Sequence, residues 1–322
     1  MGKEQMIWVS MDGGGTKTEL CACNLQGEKI YSQFYGRANY KTAGIEEVSE
    51  TLSNAIRNML QSLECQMDDI AGMVLAIAGC DTYQDVKIYT EIMLAAGIPE
   101  EKILICNDTE VVFRALSDIN GICVVAGTGS IACAYDKQGM CARIGGWGAP
   151  LSDMGSGYWI GAEILKRMIR WLDGMQEEES TVYQDIARQF SKPGVELSWI
   201  LADLSVTEVA SVSAFVFSHA EKGDELCRNI IRLAAWLLVD QIVSLYQKAE
   251  LTPHFSVVTV GGLFSDDLFR DLVEAGVRQI LKSEDIVFMR PIDSPAEDGL
   301  KYARKVFPKI KKHFSGELSV NT

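Results

Sequence analysis

An internal repeat constrains the fold of this 322-residue chain more than any other feature of its sequence. An apolar run, a glycine-rich turn, a second apolar run and a Gln-Gly turn occur near the N-terminus and again 112 residues later, from position 15 to position 127. Apolar runs separated by such turns are typical of a β-meander, and a match sustained without a gap indicates duplication. The same offset pairs Gly15-Thr16 with Gly127-Thr128, Cys21-Ala22 with Cys133-Ala134, and Gln26-Gly27 with Gln138-Gly139.

Helical and strand patterns alternate after each meander. Buried strands are predicted at residues 73–78, 102–106, 257–260 and 286–289, and helices at residues 45–63, 85–95, 109–117, 181–190, 206–221, 224–249, 266–281 and from 297. A further helix is predicted to continue from the glycine-rich segment 145–161 through Arg170. The helix 224–249 is so apolar that we expect a buried core helix. The pattern predicts an α/β fold of two lobes, residues 1–117 and 118–294, with a C-terminal helix, 295–314, as a candidate addition to the first lobe.

Charge and composition exclude several classes of function. The formal net charge of −14 argues against nucleic acid and anionic membranes as partners. No apolar stretch is long enough to span a bilayer and no signal peptide is visible, so we expect a cytoplasmic protein. The nine cysteines form no Cys-x-x-Cys pair, which favours reduced core thiols. A polyanion such as ATP would have to be held locally, by backbone N–H groups and a metal ion.

Three glycine turns follow directly after apolar strands: Gly13–Gly15, Gly127–Gly129 and Gly261-Gly262. Glycine at a strand end lets backbone N–H groups approach an anion without a Cβ in the way. Neither a Walker A loop nor a Gly-x-Gly-x-x-Gly turn occurs. A single such turn would more simply be a hairpin, but three at strand ends, two of them related by duplication, favour phosphate binding.

Three aspartates stand at comparable places. Asp12 and Asp108 end apolar strands, where ligands gather in open α/β sheets. The alternative for Asp108 is that it caps the helix that begins at Thr109. Asp153 lies in the glycine- and tryptophan-rich segment 145–161, whose aromatic faces and carboxylate suit a sugar; a packing loop is the alternative.

Taken together, residues 12–18, 127–130, 146–161 and 260–262 resemble the N-acetylglucosamine kinases. These belong to the sugar kinase, heat-shock chaperone and actin superfamily, in the branch shared with the benzoyl-CoA reductase and 2-hydroxyacyl-CoA dehydratase activator ATPases. The resemblance implies two ribonuclease H-like lobes with ATP and Mg²⁺ in the cleft between them. It also implies ATP-dependent phosphorylation of an amino sugar, and the first candidate reaction is the conversion of N-acetylglucosamine to its 6-phosphate.

The resemblance also assigns roles to residues. Asp12 would organise the metal, and Asp108 would be the catalytic base. The phosphate contacts would be Gly13, Gly14, Gly15, Thr16, Lys17, Gly127, Thr128, Gly129 and Ser130, and the adenosine contacts Ala220, Gly261 and Gly262. The sugar contacts would be Asn39, Gly79, Asp108, Thr128, Trp147, Gly148 and Asp153.

Two departures from the family pattern concern the identity of the sugar. The segment Pro295–Leu300 is bulkier and more charged than usual, and Gly79-Cys80 replaces a double glycine. Glucosamine, N-acetylmannosamine and N-acetylmuramic acid therefore stay open as substrates, as does a homodimer. Two other functions also stay open: a reductive activator ATPase with an iron–sulfur cluster held between two subunits, and a nucleotide-dependent sensor without transfer activity.

Overall fold

The structure is a computed structural model that describes residues 6–137, 139–175 and 180–307. The chain forms two compact units: one runs to Asp118 and resumes at Pro291, and the other is Ile119–Arg290. No helix within the described residues has both the length and the apolar character needed to cross a membrane.

Ten strands and twelve α-helices make up the described part of the chain. The strands are β1 (Ile7–Gly13), β2 (Thr18–Cys23), β3 (Lys29–Tyr35), β4 (Ile70–Ile77), β5 (Ile103–Asn107), β6 (Gly121–Ala126), β7 (Ser130–Asp136), β8 (Gly139–Gly145), β9 (Phe255–Val260) and β10 (Ile286–Met289). The helices are α1 (Tyr40–Ala43), α2 (Ile45–Leu63), α3 (Tyr83–Ala95), α4 (Asp108–Leu116), α5 (Gly157–Leu172), α6 (Thr181–Phe190), α7 (Leu197–Ala202), α8 (Val206–Ser211), α9 (Ser213–Glu221), α10 (Glu225–Lys248), α11 (Asp267–Leu281) and α12 (Pro295–Val306).

The first unit is a five-stranded mixed sheet in the order β3-β2-β1-β4-β5. The meander β1-β2-β3 is antiparallel, whereas β1, β4 and β5 run parallel. One face of β1 packs Val9 and Met11 in a core shared with α2 and α3. The other face packs Trp8 in a second core, to which α4 and α12 contribute. The carboxyl ends of the three parallel strands therefore meet at one edge between two packed layers.

The second unit repeats this topology. Its sheet has the order β10-β9-β6-β7-β8, with β6-β7-β8 antiparallel and β6, β9 and β10 parallel. Strands β6 to β10 thus correspond in order to β1 to β5. The predicted α/β class and the duplicated meander are confirmed. Of the predicted Gln138-Gly139 turn, Gln138 lies outside the described residues.

Two expectations about helices need correction, and two short helices were not predicted. The helix predicted at 206–221 is two helices, α8 and α9, and the Oγ of Ser213 donates to the Ala210 carbonyl where they meet (2.7 Å). A side chain that competes for a last-turn carbonyl favours such a break. The short helices α1 and α7 carry too few apolar repeats to be predicted. Helix α10 is not buried all round, because Leu233 and Trp236 are 44% and 53% exposed.

Helix α12 packs on the sheet of the first unit although it follows the second in sequence. Phe307 lies against Gly72, and Arg304 stacks over Trp8 with its guanidinium carbon 5.8 Å from the ring centre. Lys305 donates to the carbonyls of Arg114 and Ala115 at the end of α4. Residues 308–314 of the predicted helix lie outside the described residues.

Candidate active site

The carboxyl ends of β1, β4 and β5 bring the predicted metal and base residues to one edge of the first sheet. Gly13 pairs with Ile77 in the β1–β4 register, and Ile77 pairs with Asn107 in the β4–β5 register. Asp12 and Asp108 therefore lie at the ends of β1 and β5, with Gly79 just beyond the end of β4, the strand between them. Parallel strand ends of this kind are the usual ligand edge of an α/β sheet.

Asp12 has an electrostatic environment that suits a cation. Burial and, to a smaller extent, the neighbouring carboxylates of Asp108 and Glu19 together raise the pKa of its carboxyl to about 6, while Lys17 acts in the opposite direction. Glu19 is the register partner of Asp12 across the antiparallel pair β1–β2. A bound divalent cation would relieve both the burial and the repulsion.

We expect Asp12→Asn to raise the melting temperature of the metal-free protein at pH 8, because the free energy of unfolding should increase by about 1–2 kcal/mol. A raised folded-state pKa means that ionised Asp12 destabilises the fold above pH 6. The gain should shrink as the pH falls through about 6 towards 4. Thermal unfolding in the presence of a chelator, at pH 8 and at pH 4, measures this gain, with Asp68→Asn at an exposed position as the control. An unchanged or lower melting temperature for Asp12→Asn at pH 8 would contradict this electrostatic account.

The first glycine turn packs too closely to admit a side chain at its start. A Cβ at Gly13 would lie 2.6 Å from Cδ1 of Ile77 and 2.8 Å from Cβ of Ala38. The backbone of Gly14 closes the turn by donating to the Lys17 carbonyl (3.0 Å). Beyond it, the predicted phosphate contacts Gly15, Thr16 and Lys17 are exposed, so the tip of the turn is accessible to a ligand.

Asp108 is the first residue of α4 and is not its cap. Asn107 takes that position: its Oδ1 accepts from the Thr109 N–H (2.9 Å) and from the Thr109 hydroxyl (2.6 Å). The capping alternative for Asp108 is therefore wrong, although its own Oδ1 also accepts from the Thr109 N–H. Burial and the nearby charge of Asp81 raise the pKa of the Asp108 carboxyl. A raised pKa brings a carboxylate nearer to the range that suits a general base.

The predicted sugar contacts of the first unit, Asn39 and Gly79, are neighbours. The Nδ2 of Asn39 donates to the Ala78 carbonyl (2.9 Å), and its Oδ1 accepts from the Lys41 N–H (3.0 Å). The amide of Asn39 therefore keeps one N–H and one lone pair for a ligand. Gly79 has a φ of +79°, and a Cβ there would lie 3.4 Å from Nδ2 of Asn39.

In the second unit, the turn Gly127–Gly129 is fastened to the start of α5. The Gly127 N–H donates to the Gly129 carbonyl (2.9 Å), and the Gly127 carbonyl accepts from Gly157 (2.8 Å). The Thr128 carbonyl accepts from the Tyr158 N–H (3.0 Å). The turn is one residue shorter than Gly14–Lys17, and its backbone is held on the side that faces α5.

Asp153 joins this turn to the tryptophan-containing loop. Burial raises the pKa of its carboxyl, while backbone hydrogen bonds from Gly148 and Ser130 act against the rise. Its Oδ1 is buried without a protein partner, and a Cβ at Gly129 would lie 2.4 Å from its Oδ2. A buried acceptor without a partner is suited to a ligand hydroxyl. Trp147, 72% exposed, carries the Arg143 guanidinium 4.1 Å from its ring centre.

The predicted adenosine contacts fall in two places. Val260 pairs with Val125 in the parallel β6–β9 register, so Gly261 and Gly262 lie beside the turn at Gly127. A Cβ at Gly261 would lie 2.3 Å from the Ala126 carbonyl oxygen. Ala220 lies instead at the end of α9, where it is buried and its carbonyl accepts from Gly223 and Arg228.

Sequence reasoning missed two residues at the first edge, Asn107 and Asp85. The sequence pattern around Asn107 indicates only the end of a strand, and that around Asp85 only the start of a helix. The signal for Asp85 is present, because Thr82-x-x-Asp85 is a capping-box pattern and the structure forms that box. The pattern predicts a helix start but not the additional contacts of Asp85 with distant residues.

A family model for the BadF/BadG/BcrA/BcrD ATPases matches residues 9–291. The chain belongs to this family. Among curated relatives, it is 28% identical over 259 residues to the N-acetylmuramic acid/N-acetylglucosamine kinase of Clostridium acetobutylicum, covering 79% of this chain and 84% of that one. It is also 28% identical over 297 residues to the N-acetyl-D-glucosamine kinase of Dictyostelium discoideum, covering 85% and 92%.

Solved structures with low sequence identity to this member of the BadF/BadG/BcrA/BcrD ATPase family share its fold. A provisionally named N-acetylglucosamine kinase from Chromobacterium violaceum matches with a TM-score of 0.67 and 20% identity, covering 94% of this chain and all (100%) of that one. The ROK hexokinase from Thermus thermophilus matches with a TM-score of 0.58 and 14% identity, covering 95% and 100%. The two-unit α/β fold is therefore that of the sugar kinases.

Proposed function

We propose that this chain is an ATP-dependent kinase of amino sugars, with N-acetylglucosamine as the first candidate substrate and its 6-hydroxyl as the acceptor. The curated relatives named as kinases of N-acetylglucosamine and N-acetylmuramic acid support amino sugar phosphorylation. Family membership supports the use of ATP.

The observation that carries the proposal is the strand-end edge of the first unit, where Asp108 is close enough to Asp12 for its charge to raise the pKa of the Asp12 carboxyl. Phosphoryl transfer needs positioning and charge neutralisation more than covalent help. Asp108 would accept the proton of the sugar hydroxyl as the transfer proceeds. Burial and the charge of Asp81, which raise its pKa, make it a better proton acceptor.

Asp12 would hold Mg²⁺, and its raised pKa fits a site that favours a cation. Within the described residues, no group of three or more His, Cys, Asp or Glu side chains forms a metal cage. This agrees with Mg²⁺, which proteins usually hold through one or two carboxylates together with substrate phosphates. When bound, the ion would neutralise charge on the phosphate oxygens. Lys17, exposed beside Asp12, would add a positive charge near those phosphates.

The remaining roles are divided between the two units. In the first unit, the turn Gly13–Lys17 would contact phosphates, and Asn39 and Gly79 would contact the sugar. In the second unit, Gly127–Ser130 would contact phosphates, while Gly261, Gly262 and the backbone near Ala220 would contact adenosine. The sugar contacts of the second unit would be Thr128, Trp147, Gly148 and Asp153, whose buried Oδ1 is a ready acceptor for a hydroxyl.

The reductive activator is the less supported function. Cluster ligands are thiolates, which favour exposed sites of low pKa. Eight of the nine cysteines are buried and only Cys141 is exposed. Burial raises the pKa of Cys106 well above its ordinary value and that of Cys80 to about 12.

A coupled ADP-release assay over a panel of amino sugars tests the proposal. The panel contains N-acetylglucosamine, glucosamine, N-acetylmannosamine and N-acetylmuramic acid, and ³¹P NMR of the product locates the phosphate. We expect sugar-dependent ADP release that requires Mg²⁺. ATP turnover that no amino sugar changes would support a sensor instead, and a brown, iron-containing anaerobic preparation would support the activator.

A further inference from the structure

Asp85, near the start of α3, is a buried carboxylate that binds two separate parts of the chain. Its side chain is 2% exposed. Oδ2 accepts from the backbone N–H of Asp81 (3.1 Å) and of Thr82 (2.9 Å), and from the Thr82 hydroxyl (2.7 Å). Oδ1 accepts from the Tyr40 hydroxyl (2.6 Å) and lies 2.8 Å from Nζ of Lys41. The carboxylate therefore ties residues 40–41 to residues 81–82.

The charge of Asp85 is permanent at physiological pH. Burial alone would raise its pKa, but the hydrogen bonds from Lys41, Tyr40 and Thr82 outweigh burial and hold the pKa well below its usual range. An ionised carboxylate with several donors is a strong and rigid anchor. A capping residue needs only the contacts to residues 81–82, so the contacts to Tyr40 and Lys41 call for another explanation.

The two tied segments are those that carry the proposed sugar contacts of the first unit. Lys41 also donates to the Gly79 carbonyl (2.7 Å), and the neighbouring Asn39 donates to the Ala78 carbonyl (2.9 Å). These bonds fix the segment of Asn39 against the loop of Gly79.

The same anchor extends towards the proposed base. Asp81, whose N–H is held by Asp85, accepts from Nδ2 of Asn107 (2.9 Å), the residue before Asp108. Asp81 is also a cause of the raised pKa of Asp108. Asp85 therefore anchors two parts of the proposed site: the segment that would contact the sugar, and the loop containing Asp81, which lies next to the proposed proton acceptor.

We propose that Asp85 is a positioning residue for amino-sugar binding, an inference that rests on the proposed function. It holds Asn39, Gly79 and Asp81 in one arrangement before the sugar arrives. The phosphate turn is held by a different side chain, Tyr89: its hydroxyl donates to the Ala38 carbonyl (2.7 Å) and accepts from the Tyr40 N–H (3.3 Å), and the Ala38 N–H donates to the Gly14 carbonyl (3.1 Å). Loss of Asp85 should therefore disturb the sugar more than ATP.

The test is steady-state kinetics of Asp85→Asn with N-acetylglucosamine and with ATP, varied separately. We expect kcat/KM for the sugar to fall at least about 10-fold, with a raised KM for the sugar, because small misplacements of positioning groups have effects up to about 100-fold. The KM for ATP should stay within about twofold of the wild type. A merely structural role would reduce the active fraction, which lowers kcat and leaves both KM values unchanged.

Asp69→Asn is the matched control, because Asp69 closes a capping box at the opposite end of β4 by accepting from the Gln66 N–H (2.7 Å). Lys41→Gln is the second variant, and it decides the question if Asp85→Asn does not fold; its sugar KM should rise in the same direction by a smaller factor. An active wild type whose sugar KM neither variant raises overturns this inference alone. A wild type that phosphorylates none of the sugars overturns the proposed function and this inference with it.

Discussion

Asp108→Asn should lower turnover of the amino sugar at least about 100-fold while leaving ATP affinity nearly unchanged. The amide has nearly the same size and can still accept from the Thr109 N–H, as Oδ1 of Asp108 does now (2.9 Å). It cannot take the proton of the attacking hydroxyl. Turnover is measured by coupled ADP release and ATP affinity by calorimetry without sugar.

Glu110→Gln is the control for this prediction, because Glu110 lies in the same first turn of α4 but pairs with Arg114 (3.7 Å). Its turnover should stay close to that of the wild type. The pH profile adds a second readout. Since the pKa of Asp108 is raised, wild-type kcat/KM should fall as the pH drops through that raised value, and the variant should lack this limb. Near-normal turnover of Asp108→Asn would remove Asp108 from the role of base.

Gly161→Ala should destabilise the protein by about 3 kcal/mol, the upper part of the usual range for overpacking. Gly161 lies inside α5, where a Cβ would come within 1.9 Å of the Val209 carbonyl oxygen. That atom is backbone of the adjacent helix α8, so it moves only if the helix moves. Gly161 belongs to the segment that resembles the sugar kinases, but in the structure it is a helix-packing residue.

Gly276→Ala is the matched comparison, because Gly276 is also a glycine inside a helix. A Cβ there would lie 2.8 Å from Cγ2 of Val239, a side-chain atom that can shift more readily than backbone. Replacing glycine by alanine in a helix also gains about 1 kcal/mol of helix propensity. Denaturant unfolding should therefore show a much smaller loss for this variant. Equal stability of the two variants would contradict the backbone clash at Gly161.

Much of the fold follows from local sequence patterns. The offset between Gly15 and Gly127 predicts two copies of one meander, and the structure has them in sheets of the same strand order. Strand β8 is not predicted as a separate strand, because most of its residues are only half-buried and its apolar and polar residues alternate only weakly. The division of residues 206–221 into two helices depends on one hydroxyl at Ser213, which a periodicity argument does not see.

The candidate site was predicted in part. Asp12, Asp108 and the glycine turns are visible in sequence because each comes directly after an apolar strand. Asp85 is not, since its contacts to Tyr40 and Lys41 join residues more than forty positions apart, 45 in the case of Tyr40. Whether Asp108 or Asn107 caps α4 was also undecidable, because both side chains have the right chemistry and only the backbone angle at the strand end selects Asn107.

The sequence alone determined the α/β class, the duplication, and the positions of glycine and aspartate at the ends of strands, because hydrophobic period and turn residues act over a few neighbours. Tertiary structure decided which buried carboxylates interact, and it placed α12 on the first sheet although the second unit, Ile119–Arg290, intervenes in the sequence. The physical reason is that burial and repulsion at Asp12, and the contacts of Asp85 with Tyr40 and Lys41, arise only when distant segments pack and exclude water.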